Sequence, residues 1–108
     1  MITVTFYKKH DQSYKGFQVI GHAESVEEGA DLVCCSMSVL TINTVNSLAE
    51  LTDDEFDMKQ YEDLGLIEVT FRDEITDRAT LLMDSFRIGV EAIAYQYAAW
   101  LEVLTKEV

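Results

Sequence analysis

The chain has 108 residues, of which 48% are hydrophobic, and its 20 acidic against 8 basic side chains give a formal net charge of -12 at pH 7. This size allows a single packed domain (residues 1–108) and not two, and the apolar content excludes a disordered chain. The acidic balance disfavours direct nucleic-acid binding, which needs clustered Lys and Arg, and favours attraction to basic partners.

The apolar segments indicate a cytoplasmic protein. Thr, Asn and Ser interrupt the longest of them, so we expect no membrane span. The sequence begins directly as a strand, with neither a basic leader nor a small-residue cleavage site, so we expect no secretory signal.

The first half of the chain predicts a hairpin followed by a helix. Apolar and polar residues alternate from Ile2 to Tyr7, and residues 14–21 read as a second strand, antiparallel to the first. Asp31 has the short acceptor side chain of a helix N-cap, and apolar residues then recur at steps of three and four as far as residues 52–53.

The second half predicts another hairpin and a longer helix. Residues 56–61 and 66–72 flank a turn in which Gly65 suits a positive backbone torsion, and a helix then extends from residues 76–77 to about residue 104. The order ββαββα predicts an α+β fold with a four-stranded, mainly antiparallel sheet packed with two helices. Because the aromatic C-terminal helix is large for that sheet, we expect it to bury surface against a second subunit.

The candidate chemistry lies between the second strand and the first helix. His22 ends the strand, and Cys34 falls in the first turn of a helix that Asp31 caps. A base that takes the thiol proton, together with the positive field of a helix start, would stabilise a thiolate, and helix-start N–H groups would hold an oxyanion. Since Asp31, Cys34 and Ser38 share one helix face, Asp31 is a candidate to orient His22, and Ser38 is a candidate supporting residue.

Each of these residues also has an ordinary structural interpretation. Free cysteines are common in cores, an Asp at a helix start usually only caps it, and a helical Ser usually bonds back to its own backbone. Gly21 and Gly29 bracket an acidic loop that is either a lid hinged at these glycines or a solvated connection. The cysteines and histidines lack the spacing of a zinc site, so we expect no metal and no cofactor.

The two motifs Gly21-His22-Ala23 and Gly29-Ala30-Asp31-Leu32-Val33-Cys34, with the acidic loop between them and Ser38 after them, resemble the ribosomal-processing cysteine protease family of Firmicutes and related bacteria. The resemblance extends over the whole chain. It implies a homodimeric cysteine endopeptidase that removes the N-terminal extension of large-subunit ribosomal protein number twenty-seven after a Phe-rich sequence. By the same resemblance His22 is the base, Cys34 is the nucleophile, and Asp31 and Ser38 are supporting residues.

Two rival functions remain open at this point. One is a non-catalytic, acidic ribosome-assembly factor that binds basic ribosomal proteins and in which Cys34 only fills the core. The other is a thiol redox sensor, for which the chain lacks a Cys-x-x-Cys pair. The neighbouring Cys35 departs from the family pattern, and a rotation of about 100° per helical residue should turn it away from His22.

Overall fold

A computed structural model describes residues 1–23 and 28–108. Most of the acidic loop, and with it the predicted lid, lies outside the described residues. The described chain forms five strands and two α-helices in the following order: β1 (Ile2–Lys8), β2 (Tyr14–Ile20), α1 (Glu28–Leu51), β3 (Phe56–Tyr61), β4 (Leu66–Phe71), α2 (Asp77–Gln96) and β5 (Leu101–Glu107). A short 3-10 helix, Glu62–Leu64, connects β3 to β4.

The strands form one mixed sheet in the order β3-β4-β2-β1-β5. β1 and β5 run parallel, whereas the β1–β2, β2–β4 and β3–β4 pairs are antiparallel. Both predicted hairpins are therefore confirmed, and the α+β class is confirmed with them.

Both helices cover the same face of the sheet. The Phe86 ring of α2 lies 4.7 Å from the ring of Phe17 on β2, and α1 borders one cavity together with Val19, two residues further along β2. Because alternate residues of a strand point to the same face, Phe17 and Val19 place α1 and α2 on one side. The core lies between this face and the helices, where Phe6, Phe17, Phe71 and Phe86 are fully buried.

The prediction of four strands is wrong, because the last predicted helix is two elements. α2 ends at Gln96, a turn follows, and residues 101–107 pair in register with β1, from Ile2 opposite Leu101 to Lys8 opposite Glu107. Without β5, β1 would be an edge strand with a row of unpaired backbone groups. Pairing with β5 provides hydrogen-bond partners for those groups. These long-range hydrogen bonds outweigh the helical spacing of apolar residues that continues to residue 104.

The N-terminus of α2 confirms a predicted cap. The Thr76 side chain accepts a hydrogen bond from the N–H of Ala79, which is the geometry of an N-cap. The hydroxyl of Thr76 in turn donates to Asp54 Oδ1 at 2.6 Å. Thr76 therefore joins the start of α2 to the segment that follows α1.

α1 corrects the expectation about membrane spans. By length and composition its residues Gly29–Leu51 would suffice to cross a membrane, with a hydropathy of 1.5, because the interrupting polar residues do not lower the mean enough. One side of α1 nevertheless packs into the core through Val33, Met37 and Leu48, which are 0%, 2% and 0% exposed. The core helix of a globular fold passes the same test of length and composition.

Candidate active site

A cavity of about 210 Å³ lies between α1 and the neighbouring ends of the strands. Two of the residues predicted to carry the chemistry, His22 and Cys34, both line it. The other lining residues are Ile2, Val19, Gly21, Met37, Ser38, Thr41, Gln60, Tyr61, Glu62, Gly65, Leu66 and Ile67. The lining is mainly apolar and includes a thiol and an imidazole.

Cys34 is half-buried, and its sulfur contacts the backbone of the chain that leaves β2. The Ala23 N–H donates to Cys34 Sγ at 3.4 Å, within the longer range of hydrogen bonds to sulfur. Because Ala23 directly follows His22, this contact ties the imidazole-bearing segment to the second turn of α1. A backbone N–H directed at a sulfur stabilises the charge of a thiolate.

The His22 imidazole is exposed and lies against Gly65. No hydrogen bond joins the imidazole to the thiol in the part of the chain that the structure describes. A Cβ atom at Gly65 would lie 2.9 Å from His22 Cε1 and 3.0 Å from Nε2, closer than ordinary carbon contacts. The ring therefore packs against the β3–β4 turn on one side, and its other side meets solvent.

The turn between β3 and β4 holds the backbone of this histidine segment. The Gly21 N–H donates to the Leu64 carbonyl oxygen at 3.1 Å, and the Met1 nitrogen donates to the His22 carbonyl oxygen at 2.8 Å. Gly65 has a φ of 58°, in the left-handed region that favours glycine. A Cβ there would also overlap the Gly21 carbonyl oxygen.

The two predicted hinge glycines occupy different environments. Gly21 has a φ of 104°, and a Cβ on it would overlap the Met1 carbonyl oxygen, so the position requires glycine. Gly29 lies in the first turn of α1, where a Cβ would come within 2.6 Å of the Trp100 ring. A close approach to Trp100 therefore explains Gly29 independently of any hinge.

The prediction that Asp31 caps α1 is wrong. The helix begins at Glu28, which makes Asp31 its fourth residue and moves Cys34 from the first turn to the second. The reason is that Ala30, which is 0% exposed, extends the buried stripe of Val33 and Met37 one turn earlier. Cys34 therefore does not lie in the first turn with its free N–H groups, and it is the Ala23 N–H that donates to its sulfur.

The two supporting residues differ in their contacts. Ser38 lines the cavity and donates its hydroxyl hydrogen to the Cys34 carbonyl oxygen at 2.9 Å. This is the ordinary bond of a helical serine to its own backbone. Asp31 is exposed, and among the described residues no hydrogen bond joins it to His22.

The remaining thiol and imidazole lie outside the cavity. Cys35 is exposed and does not line the cavity, as its rotation about the helix predicts. His10 follows the far end of β1, where its Nδ1 lies 3.1 Å from Glu107 Oε1. Neither residue reaches Cys34.

Sequence reasoning did not identify Gly65 or Thr41 as parts of the site. Gly65 belongs to a turn that is distant in sequence, and only its contact with His22 reveals its position. Thr41 follows Cys34 by seven residues and Ser38 by three, and these spacings place all three residues on one helix face. That signal was present in the sequence.

Comparison with known proteins gives one consistent family. Residues 1–102 match the model of the family described as cysteine protease Prp. The ribosomal processing cysteine protease Prp of Bacillus subtilis (strain 168) is 30% identical over 109 residues, which cover 97% of each chain.

Two solved structures of Prp from S. aureus share the fold. One, in complex with a substrate peptide, has a TM-score of 0.90 at 24% identity, covering 98% of this chain and 100% of that one. The other, with a covalently linked product peptide, has a TM-score of 0.89 at the same identity and coverage. With the family model matching nearly the full length and a relative at 30% identity, this chain belongs to the Prp family of ribosomal processing cysteine proteases and is a cysteine-type endopeptidase.

Proposed function

We propose that this endopeptidase removes the N-terminal extension of large-subunit ribosomal protein number twenty-seven after a Phe-rich sequence, with Cys34 as nucleophile and His22 as base. The observation that carries the proposal is the shared cavity, whose lining includes both the thiol and the imidazole. Its apolar lining, including Val19, Met37 and Ile67, suits aromatic side chains. The S. aureus Prp structure in complex with a substrate peptide supports a peptide as the class of substrate.

The proposed reaction is acyl transfer through a thioester. The His22 imidazole, supported by the β3–β4 turn, takes the thiol proton of Cys34. The thiolate attacks the scissile carbonyl, and the imidazolium then gives its proton to the leaving amine. Water, deprotonated by the same imidazole, cleaves the thioester and returns the thiol. No cofactor or metal enters any of these steps.

The Ala23 N–H is our candidate for the oxyanion donor. It already points at the nucleophilic sulfur in the free protein, at 3.4 Å from Sγ. In the tetrahedral intermediate the oxygen of the attacked carbonyl is two covalent bonds away from that sulfur. The same N–H is therefore close to the oxygen on which negative charge develops. Preorganised backbone donors of this kind stabilise tetrahedral intermediates.

Asp31, Ser38 and the glycines take supporting roles in this proposal. Ser38 positions the backbone of Cys34 through its hydrogen bond to the carbonyl oxygen. Asp31 lies one helical turn before Cys34 on the same helix face, from which we propose that it orients His22. Gly21 and Gly29 flank the acidic loop, and we propose that they allow this loop to close when a peptide binds.

The acidic surface favours the encounter with a basic ribosomal protein. The formal net charge is -12, and Glu62 lines the cavity itself. Opposite charges raise the association rate more than they raise selectivity for one bond. Such a partner is made in the cytoplasm, where we propose that the enzyme acts, with neither nucleic acid nor membrane as a direct partner.

We further propose that the protein is a homodimer. On α2, Leu81, Ile88 and Tyr95 recur every seven residues and are 69%, 70% and 93% exposed. Seven residues are nearly two helical turns, so these side chains form one apolar stripe. Trp100 lies beyond the end of α2, so the expected subunit contact is this exposed stripe and not an aromatic C-terminal helix. Sedimentation equilibrium of the wild type and of Ile88→Glu tests the proposal, and a monomeric wild type contradicts it.

Peptide cleavage followed by mass spectrometry tests the proposed activity. Purified protein is incubated with a peptide that spans the Phe-rich extension, and we expect one cut. Cys34→Ala and His22→Ala should abolish cleavage, whereas Cys35→Ser, the matched thiol control, should retain it. Cleavage that persists in Cys34→Ala overturns the assignment of the nucleophile. The rival of a non-catalytic assembly factor, which requires binding without any cut, conflicts with membership in a protease family.

A further inference from the structure

The hydroxyl of Thr41 lacks the hydrogen bond to the helix backbone that three other hydroxyls in α1 and directly after it form. Ser38, Thr44 and Thr52, the last at the end of the helix, each donate to the carbonyl oxygen four residues earlier, at 2.9, 2.8 and 2.7 Å. Thr41 is 1% exposed, and its Oγ1 is the buried side-chain polar atom that lacks a hydrogen-bond partner among the described residues. The ordinary bond of a helical threonine is therefore missing at this position.

An unpaired buried hydroxyl destabilises the free protein. It loses its hydrogen bonds to water on folding and gains none in return. Valine has the same shape and would fill the position without that loss. A hydroxyl at this position is therefore useful only if it gains a hydrogen-bond partner, and a molecule bound in the cavity can supply one.

Thr41 belongs to the same cavity as the proposed nucleophile. It lines that cavity together with Cys34, from which it is separated by seven residues of α1. That separation corresponds to about 10 Å along a helix. An extended peptide advances about 3.3 Å per residue, so it covers this distance in about three residues. Thr41 is thus placed to meet a peptide about three residues from the scissile bond.

We propose that Thr41 is a specificity-determining residue whose hydroxyl forms a hydrogen bond with a polar group of the bound peptide, about three residues from the bond that is cut. The inference rests on the proposed peptidase function of the same cavity. Its partner is an amide or carbonyl group, which belongs either to the peptide backbone or to a polar side chain. A peptide with no such group there leaves the hydroxyl unpaired and binds more weakly.

Thr41→Val tests the proposal, with Thr44→Val as the matched control. Both residues are buried in α1, but only the Thr44 hydroxyl has a partner in the free protein. We expect Thr41→Val to lower kcat/KM by roughly three- to twelve-fold, mainly through KM, without lowering the melting temperature. Thr41→Ser should retain most of the activity. Thr44→Val should lower the melting temperature by a few degrees and leave the kinetics unchanged.

Modified peptides distinguish the two sources of the partner. One series replaces each backbone amide near the scissile bond, other than the one that is cut, with an alkene isostere that lacks both the N–H and the carbonyl oxygen, and the other replaces each polar side chain with an apolar one of similar size. In a double-mutant cycle, the effect of Thr41→Val should disappear for the one peptide that lacks the partner group. A backbone partner appears in the first series and a side-chain partner in the second.

Two results would overturn the proposal. Unchanged kinetics of Thr41→Val is one, and an equal loss for every modified peptide is the other, because it indicates a purely structural role. Failure of the wild type to cleave any peptide contradicts the proposed function instead. In that case calorimetric binding of the unmodified peptide to the wild type and to Thr41→Val decides the role of Thr41, since equal affinities refute it.

Discussion

Gly65→Ala tests whether the β3–β4 turn holds His22, the proposed base, in place. Gly65 has a φ of 58°, and this left-handed conformation costs an alanine about 1–2 kcal/mol. The added Cβ would also overlap the Gly21 carbonyl oxygen and lie 2.9 Å from His22 Cε1. Forcing a carbon atom into packed contacts typically costs another ~1–3 kcal/mol.

The same contact predicts a loss of activity that exceeds the loss of stability. Carbon atoms in contact lie about 3.5–4.0 Å apart, so the His22 ring must move by about 0.5–1 Å to accommodate the Cβ. Misplacement of a catalytic group by about 1 Å can lower the rate by about 100-fold. We therefore expect kcat/KM to fall by about 10- to 100-fold at a temperature where the variant is folded.

Two further variants separate strain from displacement. Gly65→Asn tolerates a positive φ but still carries the Cβ, so it should recover part of the melting temperature and remain slow. Gly16→Ala introduces a Cβ that meets the Val69 backbone inside the sheet, and it should lose stability without slowing catalysis by the folded enzyme. Thermal unfolding and peptide cleavage give the two readouts. Wild-type activity in Gly65→Ala would refute the view that this turn positions His22.

Two predictions concern stability away from the site. Tyr14→Phe removes a buried hydroxyl that donates to Asp84 at 2.6 Å, so urea unfolding at pH 7 should show a loss of about 1.5–3 kcal/mol. Burial, and next the hydrogen bond to Asp84, raise the pKa of Tyr14 above its usual 10.0. The contribution of the neutral phenol to the free energy of unfolding is therefore complete below pH 10. It is lost as the pH rises toward the pKa of Tyr14 in the folded protein. The difference between wild type and Tyr14→Phe should therefore shrink above pH 10, and a constant difference would contradict this reasoning. Thr76→Ala removes the N-cap of α2 and should cost ~1 kcal/mol in the same assay, with Thr76→Ser near the wild type; equal stability of Thr76→Ala and the wild type would show that the cap contributes nothing.

Local patterns in the sequence predict most of the fold. The alternation in residues 2–7 and 66–72 predicts strands that the structure confirms, and Thr76 caps α2 as its side chain predicts. Hairpin strands and caps depend on neighbours in sequence, so a single sequence contains the necessary information. β5 depends instead on β1, nearly a hundred residues away, and helical spacing competes with its alternation.

The candidate site also has some features that the sequence predicts and others that depend on contacts between distant segments. The strand-to-helix connection predicts that His22 lies near the start of α1 and hence near Cys34, and both residues line one cavity. Gly29 suggests a loop and so predicts a later start for α1, whereas the helix begins at Glu28 and places Gly29 close to Trp100, where there is no room for a Cβ. The contact of Gly65 with His22 joins two turns that only the assembled sheet brings together, so sequence spacing cannot indicate it.

The mass of the enzyme during turnover tests the central claim most directly. The protein is mixed with the Phe-rich peptide, quenched in acid within the first turnover, digested and analysed by mass spectrometry. Attack by the thiolate predicts an acyl adduct, equal in mass to the N-terminal product less one water, on Cys34 alone. The adduct should be absent from Cys34→Ala and retained in Cys35→Ser. An adduct on Cys35, or cleavage by Cys34→Ala, would contradict the account.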